Sequence, residues 1–177
     1  MVYLPYTGIG SRKTPEPIMK QMEKISKALD AHSFTIRSGG ADGADTAFEK
    51  YAHNREIYLP WKDFNGRKSP FNTVSREAYD IAALLHPVWN RLSRATKKLM
   101  ARNVFQVLGW ELTSPTRFVI CWTEDGCEHH CQRTKDTGGT GMAISIASLN
   151  NIPVYNLANY QTFQDYHDIL EIVLKGI

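Results

Sequence analysis

The sequence FTIRSGGADGADTAFEKY, at residues 34–51, carries the clearest indication of the fold class. Its first four residues predict a short β-strand, the Ser-Gly-Gly that follows predicts a turn, and residues 41–51 have a helical pattern. The preceding chain has the same order, with a strand at residues 3–9, a glycine turn and a helix at residues 15–30. Strands that alternate with helices pair in parallel. The sequence therefore predicts an α/β, Rossmann-like three-layer fold with a mainly parallel central sheet and helices on both faces.

The rest of the chain continues this alternation without a linker, so its 177 residues are predicted to form a single domain, residues 1–177. The predicted strands lie at residues 56–59, 116–122 and 153–156, the helices at residues 75–85, 91–108, 142–149 and 163–174, and the longer loops at residues 61–73 and 127–136.

Composition and charge exclude several classes of protein. The chain is 42% hydrophobic and 22% charged, which excludes a disordered or fibrous chain, and its apolar runs are shorter than the roughly 18 residues of a membrane span. Its net charge of +3 is small for a protein that coats a phosphate backbone. The first 15 residues lack a signal sequence, and three cysteines make no disulfide framework. We therefore expect a cytoplasmic protein with no membrane partner.

Three glycine-bearing turns follow predicted strands or the loop after one. In a parallel sheet the carboxyl ends of the strands lie along one edge, where glycines let backbone N–H groups approach an anion and helix N-termini favour negative charge. The turns thus predict a site for a nucleotide or a phosphate ester, although none has the pattern of a Walker loop or a dinucleotide fingerprint. The predicted site residues in these turns are Gly8, Gly10, Ser11, Arg12, Ser38, Gly39, Gly40, Asp42, Asp45, Gly138, Gly139, Thr140 and Gly141.

Taken in order, the motifs G-I-G-S-R-x-x-P, S-G-G-A-D-G-A-D, a strand ending in Trp122 and Thr123, and T-G-G-T-G-M-A resemble the SLOG superfamily. This superfamily of Rossmann-like nucleotide-binding domains includes YpsA-like proteins, the DNA-processing protein DprA and the "lonely guy" phosphoribohydrolases. The resemblance spans about residues 8–155 and is closest to compact DprA-like and YpsA-like proteins often carried by bacteriophages. It implies that Trp122 and Thr123 belong to the ligand site.

The lonely-guy enzymes cleave the N-glycosidic bond of nucleoside 5′-monophosphates with an Arg-Lys pair and a glutamate in their glycine motif. By this resemblance, Arg102 and Asn103 occupy the positions of the Arg-Lys pair, and Ser145 occupies the position of the glutamate. A serine hydroxyl cannot replace a carboxylate as a general base near neutral pH. We therefore expect a protein that binds a nucleotide or an ADP-ribose-like small molecule without efficient turnover and needs no other cofactor. In a bacteriophage it would act in the host cytoplasm and sequester a signalling nucleotide as an anti-defence protein.

Two alternatives stay open. The chain is a nucleotide N-glycosidase if another carboxylate replaces the glutamate, and Asp45 and Glu49 are the candidate catalytic residues, with Asp42 beside them. It is a DprA-like DNA-binding recombination mediator if a basic helical segment binds single strands. The residues of that segment are Arg91, Arg94, Lys97 and Lys98. The resemblance also implies a homo-oligomer, a dimer or larger, with residues 91–108 as the contact element.

A loop rich in cysteine and histidine follows the central strand. Cys127, His129 and Cys131 are a partial set of zinc ligands, but structural zinc sites usually have four ligands and no second pair stands nearby. We predict no metal here and interpret the loop as a polar surface segment near the ligand.

Overall fold

The computed structural model describes residues 4–160 and 162–175. Residue 3, the first of the predicted strand at residues 3–9, lies outside the described residues. The five strands are β1 (Leu4–Gly8), β2 (Phe34–Ser38), β3 (Arg55–Ile57), β4 (Val119–Cys121) and β5 (Val154–Asn156). The six α-helices are α1 (Glu16–Ala31), α2 (Ala44–Glu49), α3 (Arg76–Leu85), α4 (Arg94–Leu108), α5 (Thr140–Leu149) and α6 (Phe163–Lys175).

The five strands form one sheet in the order β3-β2-β1-β4-β5, and every pair is parallel. β1 lies at the centre, where Thr7 is level with Arg37 of β2 and with Val119 of β4. The strand order reverses between β1 and β4, which makes this point the topological switch of a doubly wound sheet. Ligands of such sheets bind at the carboxyl edge beside that point, so the topology indicates where the site lies.

Helices cover both faces of the sheet, so the predicted α/β three-layer fold is confirmed. Alternate residues of β4 point to opposite faces: Val119 and Cys121 pack with α3, α4 and α5, whereas Ile120 packs with α1, α2 and α6. The side chains in the two cores are almost fully buried, Phe48 and Phe105 among them. Their burial fixes the sheet between the helices and leaves the carboxyl edge open.

Several helix boundaries differ from the predicted ones, for local physical reasons. The predicted helix at residues 91–108 begins at Arg94, because the Ser93 hydroxyl accepts a hydrogen bond from the Thr96 N–H and residues 89–91 form a separate 3-10 turn. The predicted helix at residues 41–51 is shorter, because Gly43 has a φ of +83° that ends the preceding turn. In contrast, α5 begins two residues before its predicted start, at Thr140.

Helix α4 is buried in its own chain over its second half, so its predicted role as the contact element of an oligomer can fall only on residues 91–100 and 108 and stays a prediction. Residues 101–107 are all buried between the sheet and the neighbouring helices, so a second copy cannot reach them. The first turns of α4 are exposed or half-buried, and Leu108 at its end is half-buried. Homo-oligomer formation therefore stays a prediction without a defined contact surface. Within the described part of the chain, no helix is long and apolar enough to cross a membrane.

Candidate functional site

A cavity of about 360 Å³ opens at the carboxyl edge of the sheet, beside the topological switch between β1 and β4. This volume lies within the range of about 300–1,000 Å³ that is typical of small-molecule sites. The turn after β1, the turn after β2 and the N-terminus of α5 all contribute to its wall, and α4 closes the remaining side. The lining residues are Ile9, Gly10, Ser11, Arg12, Lys13, Ala41, Asp45, Leu99, Met100, Arg102, Asn103, Gln106, Asp136, Thr137, Gly138, Gly139 and Thr140.

The turn after β1 is held rigidly against the end of β4. The Ser11 N–H donates to the carbonyl oxygen of Trp122 at 3.1 Å, and the Thr14 hydroxyl donates to the Ser11 carbonyl at 2.7 Å. Gly10 lies so close to Ala44 and to the Trp122 backbone that a Cβ atom would have no room. The two exposed cations of the turn, Arg12 and Lys13, are consequently held at the cavity on a fixed backbone.

The floor of the cavity contains a buried ion pair. The Arg102 guanidinium lies 4.0 Å from the Asp45 carboxylate, and both side chains are nearly inaccessible to solvent. Arg102 also donates to the carbonyl oxygens of Gly39 and Tyr58, while the Ala41 N–H donates to Asp45 at 3.2 Å. A buried guanidinium needs a partner, and Arg102 finds its partners within the protein.

Burial changes the ionisation of this pair. It raises the pKa of the Asp45 carboxyl above its ordinary value, although the charge of Arg102 acts in the opposite direction. Burial likewise lowers the pKa of the Arg102 guanidinium, against the effect of Asp45. Among the described residues, the Arg102 Nε has no hydrogen-bond partner, so this guanidinium retains donor capacity beside the cavity.

The third glycine turn presents the N-terminus of α5 to the cavity. Gly138 has a φ of +60°, which allows the chain to turn directly into the helix, and the Asn103 amide donates to the Gly139 carbonyl at 2.9 Å. The positive end of the helix dipole favours an anion, although the Gly141 and Met142 N–H groups already donate to the Gly138 and Gly139 carbonyls at 3.2 Å. With Arg12 and Lys13 on the opposite turn, this arrangement can hold a phosphate group.

The structure brings nine of the predicted ligand-binding residues to the cavity wall. They are Gly10, Ser11, Arg12, Asp45, Arg102, Asn103, Gly138, Gly139 and Thr140. The other predicted ligand-binding residues do not line it, namely Gly8, Ser38, Gly39, Gly40, Asp42, Trp122, Thr123 and Gly141. Most of these lie behind the wall and shape it, as Gly39 does beneath the Arg102 guanidinium, whereas Asp42 is exposed to solvent.

Of the two candidate catalytic residues, only Asp45 faces the cavity. Glu49 is buried behind it, where its carboxylate accepts from the Gly40 N–H at 3.1 Å and pairs with Arg67. Ser145, which the sequence resemblance aligns with the lonely-guy glutamate, does not line the cavity either. Its hydroxyl lies 2.8 Å from the His130 Nδ1 and 2.9 Å from an Arg133 nitrogen. Among the described lining residues, the other carboxylate is that of Asp136.

Among the polar lining residues, sequence reasoning missed Lys13, Gln106, Asp136 and Thr137 as site residues. Lys13 lies within the first glycine motif, and Asp136 directly precedes the third. Both could have been predicted if every polar residue of each turn had been included. Gln106 lies one helical turn after Arg102 and therefore on the same face of α4. The helical period of the sequence could have identified it for this reason.

The cysteine and histidine loop does not gather into a metal site. Cys127 is buried and its thiol donates to the His129 carbonyl, while His129 and Cys131 are exposed. Within the described residues, the one group of three or more metal-ligand side chains within reach of a single ion is His167, Asp168 and Glu171, exposed on α6. The partial zinc set of Cys127, His129 and Cys131 is therefore not assembled in this fold.

Comparison with known proteins gives one structural likeness. No model of a protein family matches the sequence, and no curated protein sequence matches it. A solved structure of DNA processing protein A from Helicobacter pylori, described for its single-stranded DNA binding mode, is 15% identical to this chain. The match covers 98% of this chain and 81% of that chain, with a TM-score of 0.43. At this level we draw no conclusion on function from it, and the parallel sheet itself defines the fold class.

Proposed function

We propose that this chain binds a nucleotide or a nucleotide-derived small molecule in the cavity at the carboxyl edge of its sheet. The observation that carries the proposal is that segments of all three glycine turns meet at one cavity at the topological switch point, the second of them through Ala41 and Asp45. A single glycine turn is common in α/β proteins, but three that meet at one cavity with a helix N-terminus favour a phosphate-bearing ligand.

The lining residues divide into regions that suit the parts of a nucleotide. The N-terminus of α5, together with Arg12 and Lys13, suits a phosphate. Leu99 and Met100 offer an apolar surface for a base, and the buried Asp45 carboxylate offers an acceptor for ribose hydroxyls. Binding of this kind by a bacteriophage protein would sequester a host signalling nucleotide.

We place binding ahead of turnover because of where the predicted catalytic positions lie. Ser145 lies away from the cavity, and Asp45, the single predicted catalytic candidate on the wall, is held by Arg102 and by a backbone N–H. Hydrolysis of an N-glycosidic bond is the alternative, and the burial of the Asp45 carboxyl at the cavity wall is the observation that favours it, since burial raises the pKa of this carboxyl and a protonated carboxyl can act as a general acid.

The experiment measures binding of AMP and ADP-ribose to the purified chain by isothermal titration calorimetry, with high-performance liquid chromatography of the same samples for free base. Neutralising two phosphate-binding cations, in Arg12→Gln/Lys13→Gln, is expected to weaken binding at least about tenfold, since each charge-assisted hydrogen bond is worth about 1.5–3 kcal/mol.

Lys24→Gln/Lys27→Gln is the matched control, because it also removes two positive charges and both lysines are exposed on α1, away from the cavity. Equal affinity of Arg12→Gln/Lys13→Gln and the control would contradict phosphate binding at this turn. Release of free base would favour the N-glycosidase. Tight, salt-dependent binding of single-stranded DNA, lost on changing Arg94, Lys97 and Lys98 but not Lys13, would favour the recombination mediator.

A further inference from the structure

One carboxylate outside the cavity accepts hydrogen bonds from three threonine hydroxyls. Asp125, in the turn after β4, accepts from Thr123 at 2.8 Å, from Thr134 at 2.7 Å and from Thr137 at 2.5 Å. The Cys127 N–H donates to the same carboxylate at 3.3 Å. These donors hold the pKa of Asp125 at about 2, although partial burial acts in the opposite direction. The side chain is thus a charged acceptor at any physiological pH.

The Asp125 carboxylate is tied to the carboxyl end of the sheet. Asn156, the last residue of β5, donates from its amide to the Thr123 hydroxyl at 2.6 Å and to the Cys127 carbonyl at 2.9 Å. Its amide oxygen accepts from the Thr123 N–H at 3.2 Å. Both Asn156 and Thr123 are fully buried. The position of Asp125 is therefore set by the ends of β4 and β5.

On its other side, the carboxylate reaches the cavity wall. Thr137 is 2% exposed, lines the cavity and directly precedes the glycine turn at residues 138–139 that leads into α5. The Thr137 hydroxyl donates to Asp125 and also accepts from the Thr134 N–H at 2.9 Å. Gly138 has a positive φ and its N–H donates to the Lys135 carbonyl at 3.3 Å, while the Gly139 carbonyl accepts from the Asn103 amide. The bond from Thr137 to Asp125 adds a direct link between this turn and the turn after β4.

We infer that Asp125 is a positioning residue for the cavity, which acts through Thr137 to hold the anion-binding turn at residues 137–140 in place. The inference rests on the proposed function for its effect on ligand affinity, but not for its effect on the turn itself. A negative charge near an anion site is unfavourable on its own, and three hydroxyl donors that point to it reduce that cost.

The test compares Thr137→Val, Thr137→Ser and Thr134→Val by hydrogen exchange without ligand and by calorimetry with AMP. Thr137→Val removes the donor on the cavity side and is expected to speed amide exchange at residues 137–141 and to weaken AMP binding about tenfold. Thr137→Ser keeps a hydroxyl and is expected to restore both values to within about twofold of wild type. Asp125→Asn is expected to speed exchange in the same segment.

Thr134→Val is the matched control, since Thr134 donates to the same carboxylate but is exposed and does not line the cavity. We expect its AMP affinity to stay within about twofold of wild type. Unchanged exchange at residues 137–141 in Thr137→Val, or equal effects of the two valine variants, would overturn the inference. If wild type itself does not bind AMP, the proposed function fails for this probe, and the exchange data still decide whether Asp125 positions the turn.

Discussion

Replacing Arg102 by methionine is expected to lower the free energy of unfolding by about 3–5 kcal/mol, because it leaves a buried carboxylate without its charge partner. Arg102 is 5% exposed and Asp45 is 4% exposed, so solvent cannot take over the role of the guanidinium. The Gly39 and Tyr58 carbonyls would lose a donor at the same time. Urea unfolding of wild type and variant, followed by circular dichroism, measures the difference.

The stability loss in Arg102→Met should be smaller at low pH than at high pH. In wild type, burial raises the pKa of the Asp45 carboxyl in the folded state above its ordinary value. A group of this kind favours folding below its unfolded pKa, and its contribution is lost as the pH rises through the folded value. Without Arg102 the folded pKa rises further, so the variant should lose less stability at pH 5 than at pH 8.

The double variant Asp45→Asn/Arg102→Met is the control for this explanation. It has no buried charge at the floor of the cavity, and we expect it to be more stable than Arg102→Met alone at pH 8. A stability loss in Arg102→Met that is the same at both pH values, and that Asp45→Asn does not relieve, would contradict the role of the ion pair.

Changing Gly10 to alanine is expected to lower the free energy of unfolding by about 1–3 kcal/mol and to disturb the cavity. The new Cβ would lie 2.7 Å from the Ala44 Cβ and 3.0 Å from the Trp122 carbonyl oxygen. Neither atom is the end of a flexible side chain, so the turn after β1 has to move away from β4 and α2. Thermal unfolding and AMP titration measure the two effects.

Gly139→Ala is a matched comparison for that variant. Its Cβ would meet only the end of Met100, at 3.0 Å, and the backbone at Gly139 already has helical angles. We therefore expect little loss of stability, but weaker AMP binding, because the added methyl group enters the cavity wall. A Gly10→Ala variant as stable as Gly139→Ala would show that the turn after β1 is not closely packed.

Much of the fold could be predicted from local sequence patterns. Apolar residues at a spacing of three to four residues identified α1, whose Met22, Ile25 and Leu29 are buried as that pattern requires. Helix boundaries were predicted less accurately where a single residue determines them. Ser93 caps α4 and Gly43 delays the start of α2, and each overrides a longer helical pattern.

The candidate site was predictable in part. The sheet topology brings the glycine turns to one edge, so their convergence follows once the strands are known to be parallel. By contrast, Asp45 and Glu49 share a helical face, and the sequence alone could not distinguish them. Arg67, from a loop 18 residues further along the chain, pairs with Glu49 and removes it from the cavity. Contacts between distant segments of this kind decide which polar residues line a site.

The most direct test of nucleotide binding is native mass spectrometry of the purified chain, as isolated and after incubation with AMP, ADP-ribose and cyclic ADP-ribose, followed by denaturation to release what is bound. We predict one phosphate-bearing compound per chain, released intact, and its loss in Arg12→Gln/Lys13→Gln. A chain that has the mass of the free protein under every condition and releases no nucleotide on denaturation would contradict the proposed function.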